Sequence, residues 1–317
     1  LFKSRPIEPV MLVEFRMIFA CLLMGLLLAV SNPPELRIRR ADLPFLAVYG
    51  SLGMAMVQVT YFVAVSEGTV STAIFLQYLA PLVTAGYETA AGRKLPSKAL
   101  LTSLALATCG SATLLLSGSG GLSTSRLGLV AGLASAGFMS FYTVYGARAV
   151  ARYSPRTVLL WITGIAALAL APVARPWQAA GLGLTVTDWV LLLYLGTFGT
   201  LVPFAMFLAG LKYVRPVPAT LTAMLEPVLA TVIAWIFLAE TLSALQLAGA
   251  GLIIGAVANL QLRRPRGRQA GSGSSLPGEP YQVSDCDEQA DGGVQLDGPR
   301  ADGHNPRRVT TGRPGKR

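Results

Sequence analysis

AIFLQYLAPLV (73–83) returns as ATLTAMLEPVL (219–229), with Ala73, Leu79 and Pro81 matched by Ala219, Leu225 and Pro227 at a shift of 146 residues. The same shift, without gaps, pairs Pro9 with Pro155, Asp42 with Asp188, Gly50 with Gly196 and Gly53 with Gly199. Each match is weak alone. Together they fall at equivalent places in successive apolar runs, which marks an internal repeat.

The runs themselves are long. A bilayer core about 30 Å thick is crossed by ~20 mainly apolar helical residues. Nine segments qualify: 9–31, 43–65, 71–91, 99–117, 127–147, 157–174, 189–210, 216–238 and 244–262. Between them lie polar or helix-breaking stretches such as SNPPELRIRRAD (31–42), GRKLPSK (92–98) and SGSGGLSTSR (117–126). Composition agrees, with 53% hydrophobic residues, 13% charged residues and a mean hydropathy of +0.55. Soluble domains carry roughly 25% charged residues.

The net charge of +10 raises nucleic acid as a partner. The positive residues, however, sit in short clusters between apolar runs, where they act as topology signals, and no nucleic-acid partner is expected. With the N-terminus outside and the spans alternating, the inner connections hold fifteen Lys and Arg and the outer side four. That places the C-terminus in the cytoplasm. The copies then run in opposite directions: SEGTV (66–70) is free of Lys and Arg and lies outside, whereas its partner KYVRP (212–216) is basic and lies inside.

The expected fold is an all-α polytopic membrane protein, an inverted repeat of two five-helix units with nine spans visible. The partner of 127–147 falls before residue 1, so ten spans are expected in the parent. Residues 1–118 form the first repeat without its first helix, 127–262 the second, and 263–317 a cytoplasmic tail. The tail is rich in Gly, Pro and Ser and is expected to be disordered. It opens on RRPRGR (263–268), a cluster suited to anionic lipid head groups.

Chemistry is sparse. Cys21, Cys109 and Cys286 have no CxxC spacing, and His304 in the tail is the lone histidine, so neither metal nor cofactor is expected. A membrane enzyme acting on lipid would need convergent acids, a histidine pair or a DDxxD-like site in the spans, and the sequence has none. No GxxxxGK[ST] motif is present to drive the protein with ATP. Inverted repeats around a midplane site are a recurring construction of secondary transporters.

Ionisable groups deep in a bilayer are expensive and are functional candidates by default. Glu226 falls near the middle of its span, and Pro227 follows it. Proline removes an intrahelical hydrogen bond and kinks the helix, so a carboxyl group beside a freed carbonyl suits a substrate amine or a proton. Pro81 is the matching kink, although Ala80 stands where repeat two has Glu226. Gln77, Pro81, Thr84 and Glu88 share one face of their span, as do Ser51, Met54, Gln58 and Tyr61 of the preceding one. Tyr78 lies beside the first stripe. Glu226, Gln77, Tyr78, Thr84, Gln58 and Tyr61 are the candidate substrate-binding residues, with Pro81 and Pro227 as kink or gating positions. Glu14 and Arg16, two residues apart, point to different sides of their helix, and Arg16 is expected to snorkel or pair with another helix. Gly128, Gly132 and Ala136, and Gly251 with Gly255, are small-residue runs that allow close helix approach within the protomer or in a homodimer.

Three stretches carry a family resemblance: GLVAGLASAGFMSFYTVYGAR (128–148), FLQYLAPLVTAGYE (75–88) and LEPVLATVIAWIFLAETLSALQLAGAGLIIGA (225–256). Over residues 9–262 the chain resembles the EamA-type members of the drug/metabolite transporter superfamily. The resemblance implies a ten-helix fold in a bacterial inner membrane, with both ends cytoplasmic. It also implies movement, chiefly export, of amino acids, other metabolites or drugs by alternating access. Two departures stand out: the absent first helix, and Gly92, Arg93 and Lys94 where repeat two has the acidic Glu240. The expected partners are a small-molecule substrate and membrane lipids, with protons as a candidate coupling ion. A non-transporting membrane subunit or receptor is the alternative reading.

Overall fold

The computed structural model describes residues 8–91, 96–116, 124–238 and 243–262. Glu240, the 92–94 segment and the tail with its basic cluster lie outside the described residues. Nine helical segments among the described residues are long and apolar enough to cross a membrane: Pro9–Ser31, Arg40–Ser66, Val70–Ala90, Lys98–Leu115, Arg126–Val150, Pro155–Ala174, Val186–Leu211, Pro216–Phe237 and Ala244–Leu262. They coincide closely with the nine apolar runs. The protein is an all-α, multi-pass membrane protein.

Five of these segments are continuous: α1 (Pro9–Ser31), α6 (Lys98–Leu116), α7 (Arg126–Val150), α8 (Pro155–Ala174) and α13 (Ala244–Leu262). The starts are written locally. Ser125 and Ser154 accept hydrogen bonds from the Gly128 and Thr157 amides at the heads of α7 and α8. Such caps satisfy backbone donors that a helix cannot satisfy itself.

The other four spans are interrupted, in matched pairs. Arg40–Ser66 contains α2 (Leu43–Val48), a π-helical segment (Tyr49–Ala55) and α3 (Met56–Ser66), whereas Val186–Leu211 contains α9 (Val186–Gly196), a π segment (Thr197–Leu201) and α10 (Val202–Leu211). Val70–Ala90 breaks at Tyr78–Leu79 into α4 (Val70–Gln77) and α5 (Ala80–Ala90). The eighth span breaks at Met224–Leu225 into α11 (Pro216–Ala223) and α12 (Glu226–Leu238). The two breaks superpose at the shift of 146.

Two expectations change here. Pro81 and Pro227 do not kink continuous helices; each sits in the first turn of a new helix, where a missing N–H costs nothing. The stripe Ser51–Met54–Gln58–Tyr61 also loses its common phase. Ser51 and Met54 belong to the π segment, and Gln58 and Tyr61 to α3.

The repeats interlock. α1 packs against α8 and α9, and α8 packs in turn on the Tyr49–Ala55 segment. A Cβ on Gly50 would lie 2.7 Å from Ile165, and one on Gly196 would lie 2.7 Å from Phe19. These are the same contact made twice, since both residue pairs are related by the repeat shift. Between the repeats, α6 packs along α13. There the Asn259 amide donates to Ala99 O at 3.1 Å and to Ser103 Oγ at 2.8 Å. At one end of the bundle Ser125 donates to Glu67. Elsewhere Asp42 takes Arg152 at 2.9 Å and Tyr153, tying the 32–42 connection to the start of α8. Burial and the bond to Asp42 both push the Tyr153 phenol up.

The small-residue runs divide. Gly128 and Gly132 press on Glu67 and Leu76, so that run does bring helices together. Gly251 and Gly255 meet nothing within 4 Å, and the close approach of α6 to α13 runs instead through Gly110 and Gly249. A Cβ on Gly249 would lie 2.6 Å from the Leu114 backbone nitrogen, a group that cannot rotate away. Gly249→Ala should therefore destabilise the detergent-solubilised protein by about 1–3 kcal/mol, the usual cost of overpacking. Gly251→Ala should cost nothing and gain helix propensity. Thermal melts of the two variants give the comparison, and equal melting temperatures would contradict this packing.

Candidate functional site

The breaks in the third and eighth spans bring polar groups of both repeats together. Tyr78 occupies the turn between α4 and α5, and Glu226 is the first residue of α12. The Tyr78 hydroxyl donates to Glu226 Oε2 at 3.1 Å, across 148 residues of chain. Tyr78 is half-buried, Glu226 is exposed, and so is the bond between them, which leaves the carboxylate open to a ligand. Its position also matters electrostatically, because the start of a helix carries partial positive charge that favours a carboxylate. In repeat one the corresponding first residue of α5 is Ala80, buried and uncharged.

Tyr61, on α3, interacts electrostatically with both Glu226 and Arg16. Arg16 comes from α1 and is 8% exposed. Its Nε donates to Thr200 Oγ1 at 2.9 Å and its Nη2 to the Gly199 carbonyl at 2.8 Å. Both acceptors lie in the Thr197–Leu201 π segment of repeat two. The guanidinium also stands 5.2 Å from the Phe62 ring centroid, a cation–π distance. Among the described residues its charge is met by a hydroxyl, a carbonyl and a ring, without an acidic partner. Arg16 thus bonds another helix rather than snorkelling, and Glu14 is not its partner.

The remaining candidates group around this cluster unevenly. Gln77 is half-buried at the end of α4, next to Tyr78, and Gln58 is buried one turn before Tyr61. Thr84 is buried and its hydroxyl bonds Ala80 O at 2.8 Å and Ser140 Oγ at 3.0 Å, which ties α5 to α7. Pro81 and Pro227 flank the two breaks. Thus Tyr78, Glu226 and Tyr61 form the centre, Gln77 and Gln58 adjoin it, and Thr84 joins two helices. Sequence reasoning missed the Arg16–Thr200–Gly199 junction. The sequence offered Arg16 a partner helix in general terms, and the pairings of Gly50 with Gly196 and Gly53 with Gly199 pointed at that segment, but neither signal said what binds there. The chemistry available is recognition by opposite charges and hydroxyls. Among the described residues no group of His, Cys, Asp and Glu could hold a metal ion.

Comparison with known proteins bears on both repeats. The model of the EamA-like transporter family matches residues 2–116 and again 126–260. The chain is 27% identical over 235 residues to an uncharacterized inner membrane transporter of Salmonella typhimurium, covering 73% of this chain and 77% of that protein. It is 28% identical over 212 residues to an uncharacterized transporter of Archaeoglobus fulgidus, covering 67% and 73%. A crystal structure superposes with a TM-score of 0.66 at 20% identity, covering 81% of this chain and 88% of the other, which shows the shared fold. Two matched family units, falling on the two copies of the repeat, place this membrane transporter in the EamA-like transporter family.

Proposed function

We propose that the protein is a secondary active transporter that exports small zwitterionic metabolites, amino acids foremost, by alternating access in a bacterial inner membrane. The observation that carries this reading is the Tyr78–Glu226 hydrogen bond, which joins the broken helices of the two repeats. Discontinuous helices meeting at a repeat interface are the usual frame of a transporter's binding site.

The charges suit a zwitterion. Glu226 neutralises the positive end of α12 and would receive an ammonium group. Arg16, which also interacts with Tyr61, offers a positive charge with no acidic partner among the described residues. The start of α5 bears no acid and keeps its partial positive charge for a carboxylate. Tyr61 and Tyr78 supply hydroxyls and aromatic faces between these poles. Energy would come from an ion or substrate gradient. The excess of Lys and Arg in alternate connections supports a cytoplasmic C-terminus.

Uptake of a radiolabelled pool of the protein amino acids into proteoliposomes tests the site. Glu226→Gln, reconstituted at normal yield, should abolish transport of the zwitterionic and cationic members. Unchanged flux would remove Glu226 from the mechanism. Tyr78→Phe removes one hydrogen bond to a charged group, worth about 1.5–3 kcal/mol. At 1.4 kcal/mol per factor of ten, it should weaken apparent affinity roughly tenfold or more. A Tyr78→Phe variant with wild-type affinity would mean that the phenol only closes the helix break.

A further inference from the structure

Glu14 lies on α1, two residues before Arg16, and the site above does not use it. It is 1% exposed, and its Oε2 has no hydrogen-bond partner. Packed on α1 are α3, α8, α9, the Thr197–Leu201 segment and the turns Pro33–Leu36 and Pro176–Leu182.

The titratable groups these elements bring are occupied or distant. Tyr61 of α3 interacts with Arg16 and Glu226. Asp188 of α9 bonds Thr185, and Glu35 bonds Ser154. Tyr194 of α9 is 57% exposed and meets the Phe198 ring at a tilt. Arg156 is exposed in the first turn of α8, whereas the last turn of that helix faces the start of α1. Arg16 itself is bound to Thr200 and Gly199. An ionised carboxylate in such surroundings is expensive, and a neutral carboxyl group far less so.

A second observation gives the proton a path. A cavity of about 200 Å³ opens at the head of α1, lined by Glu8, Met11, Arg175 and Gln178 among others. Met11 is one helical turn before Glu14, on the same side of α1. Water in the cavity therefore comes within a turn of the carboxyl group.

We propose that Glu14 is a proton-binding site, neutral in this conformation and discharging its proton to the Glu8–Arg175 cavity in another. On release the carboxyl O–H bond breaks, its electron pair stays on the carboxylate, and a water molecule of the cavity takes the proton. Reprotonation is the reverse. Because α1 also carries Arg16, the charge of Glu14 biases a helix that joins the two repeats. This coupling rests on the transport reading; the proton site does not.

Infrared spectroscopy of the full-length protein in phosphatidylcholine–phosphatidylglycerol vesicles tests the site without a substrate. At neutral pH the wild type should show a protonated-carboxyl C=O band that disappears as pH rises. Glu14→Gln should lack that band, whereas Glu14→Asp and Glu226→Gln should keep it. The same band in Glu14→Gln, or its loss in Glu226→Gln, would overturn the assignment. Uptake of the radiolabelled amino-acid pool, with and without a pH gradient, tests the coupling. The gradient should accelerate the wild type and leave Glu14→Gln indifferent. A gradient effect of wild-type size in Glu14→Gln, or none in the wild type, would overturn the coupling. No uptake at all by the wild type would fell the transport reading, while the infrared bands would still decide the proton site.

Discussion

A backbone carbonyl or amide inside a bilayer has no water to turn to, so every departure from the α-helix in a membrane span has to find its partners within the protein. This chain departs four times among the described residues, and each departure lies where helices meet. The Tyr49–Ala55 segment receives α8 through Gly50 and Ile165, and the Thr197–Leu201 segment receives α1 through Gly196 and Phe19. At Gly199 the need is visible, because the carbonyl accepts a hydrogen bond from Arg16 of the other repeat. Sites of irregular backbone are therefore among the sites where the repeats touch, beside the regular contact of α6 with α13.

The repeat makes these junctions in pairs, but the side chains placed on them differ. Arg16 has Ile162 as its counterpart, Glu226 has Ala80, and Tyr61 has Phe207. Ile162 is fully buried and Phe207 packs against the apolar core with Tyr142. The polar cluster is thus assembled from one member of each pair, while the other member stays in the packing. Symmetry supplies two access routes in such folds. On the proposed function, asymmetry would supply a site that binds one orientation of a charged ligand.

The spans, their number and the repeat were legible because an apolar run of bilayer length and a gapless shift are properties of the sequence itself. Pro81 and Pro227 were legible as disturbances, since a ring without an N–H has local consequences. Their form was not. The helices end just before them, at Tyr78–Leu79 and Met224–Leu225, because packing between repeats decides where the freed carbonyl is best placed. The π segments were hidden for a related reason. One extra residue in a turn leaves the composition unchanged, and only the paired glycines Gly50, Gly53, Gly196 and Gly199 betray it. Thr84 shows the limit of reading faces: its spacing put it with Gln77, but Ser140 of α7, remote in sequence, takes its hydroxyl. Gly249 was missed because Gly251 and Gly255 offered the more familiar spacing.

Helix α1 is one of the elements that join the two repeats. That helix makes the Phe19–Gly196 contact, holds the Thr197–Leu201 segment by Arg16 and buries Glu14. An arginine is always charged, so the Arg16 junction does not weaken by losing a proton under any ordinary condition. Glu14 is different, because gaining or losing one proton changes by a full charge what the neighbouring helices have to accommodate. On the proton-site proposal, a fixed junction and a switchable charge within one turn of the same helix divide the work: Arg16 would keep the repeats in register, and Glu14 would set which arrangement of them is stable. On the proton-site proposal, ionised Glu14 is tolerated only in an arrangement that opens α1 to water, and the Arg16 junction carries that movement to the helix whose counterpart in repeat one bears Tyr61.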